Sequence, residues 1–365
     1  MASLRRLIPV VTSAVNAGTG AQETAAASWA PPRPKRPEKP GGVDTALYRG
    51  GQLRPMILRA MLGPQRSVPS VGPVLDRLGV ADGHICTITA GWQDREGEID
   101  ELQGHLARQT KDLGLYKRAE DIFASNPEFR QAYHQRQKTL KELQRLYRRR
   151  LNHAIAAFAE LMREPGDDIL IQNERRAALR ALRTLDRQHL RRIEHIHAAF
   201  EQAAQAWLLE DIRSHQREIE TIIGTSAAVV IAGGHVEILL NRLRLFGLQS
   251  ILADRPVIAW SAGAMALSDR VVLFHDHPPQ GAGIAEIADR GLSFFPGVVP
   301  LPHAGQRLRL HDSERVSLFA RRFGPAQCLT LDGGAEVLWT DGSLAETSSC
   351  FRLTRSGALR PVRST

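Results

Sequence analysis

Cysteine is scarce: Cys86, Cys328 and Cys350 stand far apart in 365 residues and are odd in number. That excludes a disulfide framework, offers no zinc spacing, and sets the expectation of a reducing, cytoplasmic compartment. Long apolar runs are also missing. None approaches the ~18 residues of a membrane span, so no membrane partner is expected. The run Leu7–Val15 behind Arg5 and Arg6 is interrupted by Pro9, Thr12 and Ser13 and makes a poor secretory leader. Acidic residues are outnumbered, 39 against 48 Lys and Arg, for a formal net charge of +9. The excess is spread along the chain, whereas nucleic-acid footprints cluster; nucleic acid is not expected as a partner. What remains is 43% hydrophobic, enough for a sizeable core.

The composition divides the chain. Residues 1–44 read as a disordered basic arm, ending in the polyproline-like Pro31–Gly42. Residues 45–106 read as the first part of an α/β domain. Within it, Pro55 to Leu62 has helical spacing, Val71 to Leu78 is a short helix and His84 to Thr89 a β-branched strand. Trp92 to Glu96 follow that strand, at the sheet edge where ligands bind in open α/β folds. Residues 107–222 change character. Asn126-Pro127-Glu128 is a helix start. Apolar positions then recur every three or four residues, broken at Glu164-Pro165-Gly166-Asp167. This predicts an inserted antiparallel helical hairpin of coiled-coil spacing. Its Tyr, Phe and Trp stripe, ending at Trp207, is expected as core between the helices. His189, His195 and His197 are expected in solvent. Residues 223–345 return to strand–helix alternation, and 346–365 read as a C-terminal tail. The fold class is therefore α/β, a mainly parallel sheet with helices on both faces.

Chemistry centres on Arg255 to Phe274. Val257 to Trp260 is a short apolar strand, Ser261 follows at once, and Ala262-Gly263-Ala264 leads into a helix. Strand, serine, small residues, helix is the pattern of a nucleophile elbow. The first position of the usual Gly-x-Ser-x-Gly is Ala259, so the match is partial. Such a serine needs a base, an acid behind the base and an oxyanion hole. His303, fixed by Pro302 after an extended run, is the leading base, with His275 and His277 as runners-up. Asp276, Asp332 and Glu336 are candidate acids. The oxyanion donors should be the amides of Ala262 and Gly234, the latter on the Gly233-Gly234-His235 turn after the strand Ala227–Ala232. No metal geometry and no cofactor is implied.

Gly233-Gly234, Trp260-Ser261-Ala262-Gly263-Ala264 and Pro302-His303, in this order and spacing, resemble peptidase family S51, which holds dipeptidase E and cyanophycinase. The resemblance covers about residues 45–100 and 222–340. It implies a class I glutamine amidotransferase-like fold with Ser in place of the Cys nucleophile. Carried over, Ser261 is the nucleophile, His303 the base and Asp276 the acid by its distance from the serine. Gly234 and Ala262 are the oxyanion donors. A cyanophycinase-like acid would fall near Gly333. His235 stands where the family usually has Asn, and the hairpin has no counterpart in the short dipeptidases. His235 and Arg307 are carried as substrate-binding residues; Arg309 also follows His303. The expected function is serine hydrolysis of a small peptide or amide through an acyl-enzyme. The alternative is a catalytically inactive amidotransferase-like scaffold for protein interaction or ligand sensing. The hairpin is read as a cap over the site, a homodimer contact, or both.

Overall fold

The computed structural model describes residues 57–80, 82–277 and 283–363. The basic arm and residues 45–56 lie outside the described residues.

The chain opens with β1 (Leu58–Leu62), α1 (Val71–Arg77), β2 (Ile85–Ile88), α2 (Asp100–Leu106), β3 (Thr110–Asp112) and α3 (Leu115–Ser125). Two long helices follow, α4 (Pro127–Arg163) and α5 (Ile169–Ala204), and then α6 (Glu210–Thr225). Next come β4 (Ala228–Ile231), α7 (Val236–Leu245), α8 (Leu248–Ile251), β5 (Val257–Trp260) and α9 (Ala262–Leu267). A two-stranded ribbon is made of β6 (Arg270–Leu273) and β7 (Glu286–Arg290). The last part runs β8 (Val298–Pro302), α10 (Ala304–Arg307), α11 (Ser313–Phe323), β9 (Gln327–Leu331), β10 (Glu336–Thr340), β11 (Ser343–Ser348), β12 (Phe351–Leu353) and β13 (Leu359–Pro361).

The main sheet has the order β11-β10-β1-β5-β4-β2-β3. Its β1, β5, β4, β2 and β3 are parallel, while β10 and β11 are antiparallel at one edge. In β2, β4 and β5 every residue is buried, as strands covered on both faces must be. Alternate residues serve two cores. Cys86, Ile88, Val229, Ile231, Val257 and Ala259 enter one, with α3, α6 and α7. Ile85, Ala228, Val230, Ile258 and Trp260 enter the other, with α1 and α2. Strand β3 lies on one side of β2 and β4 on the other, so the strand order reverses beside β2 and leaves a crevice at the carboxyl ends. A second sheet, β13-β12-β9-β8, pairs β8 parallel to β9 with Pro302 opposite Leu331.

Several expectations need correction. Residues 58–62 form strand β1 rather than helix, because pairing with β5 and β10 overrides a weak local period. The insertion is narrower than 107–222: β3 is an edge strand of the main sheet, and α3 and α6 pack on its face. The hairpin itself is α4 and α5, which begins at Pro127 as expected, although the Asn126 side chain bonds Asp211 instead of capping. Residues 346–365 are no tail over their described part. They include the end of β11 and the whole of β12 and β13.

The stripe expectation holds for Phe129, Tyr133, Tyr147 and Phe158, which are buried, but Trp207 is exposed. Two of the three histidines expected in solvent are buried, while His195 is exposed. His189 stacks on Tyr147 at 3.8 Å between ring centroids and bonds Gln144 and the Ile287 carbonyl. Burial pushes its pKa down to about 4. His197 meets Asp289, which Arg244 also binds. Burial works to raise the Asp289 carboxyl, but His197 and Arg244 hold it down at about 2. The periodicity could not show this, because the hairpin is docked along β7 and α11 and so has two buried sides.

Candidate active site

Three loops meet at the carboxyl edge of the main sheet. Gly91 follows β2, Gly233-Gly234 follow β4, and Ser261 follows β5. They are too close for side chains. A Cβ on Gly234 would lie 2.4 Å from the Gly91 oxygen, and its φ of +107° already favours glycine. A Cβ on Gly233 would lie 2.9 Å from the Ser261 Cβ. A Cβ on Gly263 would lie 2.5 Å from the Ile231 oxygen, because α9 crosses β4 closely. This steric requirement explains the small residues after the serine.

Ser261 is strained, with φ 50° and ψ −119° at the N-terminus of α9. Non-glycine residues adopt such a backbone only where the surroundings impose it. The bend lifts the hydroxyl into a cleft of about 570 Å³ lined also by Gly234, Ala262, His303, Arg307 and Trp92. Among the described residues its Oγ makes no hydrogen bond, so the contact with His303 is open, as it often is in unliganded sites. The Ala262 amide is the first of α9 and has no partner within the helix. Gly234 is exposed on the wall of the same cleft.

His303 arrives from the second sheet. It follows β8 with φ 56° and is half-buried. Burial lowers its pKa below the ordinary histidine value, Arg307 lowers it further, and Asp332 works against both. Asp332 follows β9, and the β8–β9 register places it next to His303, whose amide bonds the Leu331 carbonyl. Its Oδ1 accepts the Gly305 amide at 2.9 Å, which anchors the turn after His303.

The acid carried over by resemblance is placed elsewhere. Asp276 is buried, its Oδ1 accepting from Arg315 at 2.6 Å and its Oδ2 from the Arg309 amide at 3.0 Å. Its two oxygens are committed to those partners, so it ties β6 to α11 rather than holding an imidazole. Glu336 is paired with Arg77. Among the described residues, His275 and His277 do not line the cleft.

His235 also departs from expectation. Its Nδ1 accepts the Ile238 amide at 3.4 Å and caps α7, and it does not line the cleft. An asparagine at this position would make the same cap, so the change to histidine keeps a helix start rather than adding a substrate contact. Arg307 does line the cleft, and among the described residues its guanidinium has no ion-pair partner. Sequence reading missed the opposite wall, Gln65 and Arg66 after β1 and Glu101 and His105 on α2. The signal was present in principle, since both segments sit beside parallel strands.

Residues 184–347 match peptidase family S51. That span holds Gly234, Ser261, His303 and Asp332. Comparison with curated proteins gives no match. Among solved structures, a peptidase from an acI-B1 Actinobacterium is matched at 13% identity and a TM-score of 0.42, over 85% of this chain and 95% of that one. A peptidase E-type protein from Listeria monocytogenes EGD-e is matched at 10% identity and a TM-score of 0.39, over 80% and 98%.

Proposed function

We propose that this chain, similar over residues 184–347 to the S51 peptidases, is a serine hydrolase that cleaves a small peptide or amide through an acyl-enzyme. The observation that carries the reading is the strained Ser261 in one cleft with a half-buried His303. Ser261 Oγ attacks the carbonyl carbon as His303 takes its proton. The Ala262 and Gly234 amides donate to the oxyanion. His303 then passes the proton to the departing amine. Water attacks the ester, gives a proton to His303, and Ser261 regains it. Asp332 takes the role of the acid behind the base, and Arg307 offers a cation for a substrate carboxylate. A fluorophosphonate probe should label the wild type and not Ser261→Ala. Equal labelling of the two would end the reading and leave the inactive scaffold.

Three further results are expected. Burial and Arg307 lower the pKa of His303, so the acid limb of kcat/KM should have its midpoint below the ordinary histidine value of about 6.5. A pH profile whose acid limb lies above 6.5 contradicts this. Asp332→Asn should cut kcat by about 10²–10⁴-fold with little change in KM, as loss of an imidazole-orienting acid does. Asp276→Asn should instead lower the melting temperature, since it weakens a buried ion pair with Arg315.

A further inference from the structure

The β12–β13 ribbon carries positive charge that nothing among the described residues answers. From Cys350 to Arg363 there is no acidic residue, nor is there one from Arg315 to Leu331, which form the adjoining helix and strand. Arg352 and Arg360 are directly opposite in the antiparallel ladder. Like charges so placed weaken a ribbon. Arg355 lies in the turn between the strands, and its guanidinium converges with that of Arg183 on Gly324: an added Cβ there would be 3.5 Å from each. Arg183 is accounted for, because it donates to the Arg321 carbonyl at the end of α11. Arg352, Arg355 and Arg360 are exposed, and among the described residues their side chains have no hydrogen-bond or ion-pair partner.

These three arginines surround a cavity of about 400 Å³, lined also by Thr354, Ser356 and Gln327. We propose that this cavity binds a small molecule bearing linked phosphoryl groups, held by Arg352, Arg355 and Arg360. A single carboxylate would leave most of the charge unanswered. A diphosphate presents several charges and many acceptor oxygens to planar donor forks, the geometry that guanidinium groups match. The volume is in the range of small-ligand pockets. A nucleic-acid strand fits less well. Sheet-borne sites for single strands stack bases on aromatic rings, and no aromatic residue lines this cavity. Phe351, though exposed, alternates to the other face of β12 from Arg352.

The test is calorimetric titration of the full chain with inorganic pyrophosphate at fixed ionic strength, with sodium chloride as the matched control. Saturable binding to one site is expected. The Arg352→Gln/Arg360→Gln variant should bind at least about tenfold more weakly, as loss of charged hydrogen bonds implies. Arg355→Gln, on an exposed turn, should also weaken binding and serves if the ribbon variant does not fold. A response no larger than that to chloride overturns the proposal, as does wild-type affinity in both variants. Binding of a single-stranded oligonucleotide without binding of pyrophosphate overturns it equally.

Discussion

Ser261→Ala should lower kcat/KM for any hydrolysed peptide or amide by about 10⁴-fold or more, with residual turnover left to the oxyanion donors. The size follows from the chemistry. Without the hydroxyl there is no acyl-enzyme, and the proton-accepting role of His303 has no donor. The fold should not suffer. Ser261 Oγ makes no hydrogen bond among the described residues, and the position is strained, with φ 50°. Ser261→Gly relieves that strain and should raise stability by about 1–3 kcal/mol while abolishing activity. Turnover assays with a dipeptide library and urea unfolding of both variants check this. Activity in Ser261→Ala within tenfold of wild type would remove the serine from the chemistry. A lower stability in Ser261→Gly would show that the elbow is not strained.

The second large effect is on the hairpin. Arg322→Met should destabilise the protein by about 3–5 kcal/mol, the cost of stranding a buried charge. Arg322 reaches Asp186 through Nε at 2.7 Å and Nη2 at 2.8 Å, and Nη2 also donates to the Tyr147 hydroxyl at 2.8 Å. Tyr147 in turn donates to Asp186 at 2.7 Å. All three residues are buried, and they come from α11, α5 and α4. Removing the cation leaves Asp186 with a single neutral donor. The double variant Arg322→Met/Asp186→Leu removes both charges and should recover most of the loss. Denaturant unfolding of the two variants separates the cases. A loss below about 1 kcal/mol for the single variant would mean that the pair is solvated and the hairpin loosely held.

Much of this was legible in the chain. The β-branched run at 85–88 and the four-residue apolar runs at 228–231 and 257–260 have no room to be anything but buried strands. The elbow was readable because its sterics leave a mark at Gly263. The acid was not. Asp276 has a suitable spacing from Ser261, but the partner of an imidazole is decided by which strand lies beside β8, and nothing local to Asp332 announces that β9 does. The histidines of α5 were misplaced for a related reason. Heptad spacing identifies the side of a helix that meets its hairpin partner. It is silent about a second side covered by β7, where His189 and His197 are buried. The terminal strands were missed because their sequence is arginine-rich and short, and their pairing with β9 is a contact with a distant segment.

Ser261 and His303 are mounted on different sheets. The gap between them therefore depends on how the two sheets pack, and Ala262 and Met265 of α9 share one apolar cluster with Val298 and Leu331 of the second sheet. One methyl group added or taken away along that joint would alter the distance between Ser261 and His303 without touching either residue. Turnover in this protein should thus be tunable from its interior filling, and the rate would drift with mutations that a map of the cleft would pass over.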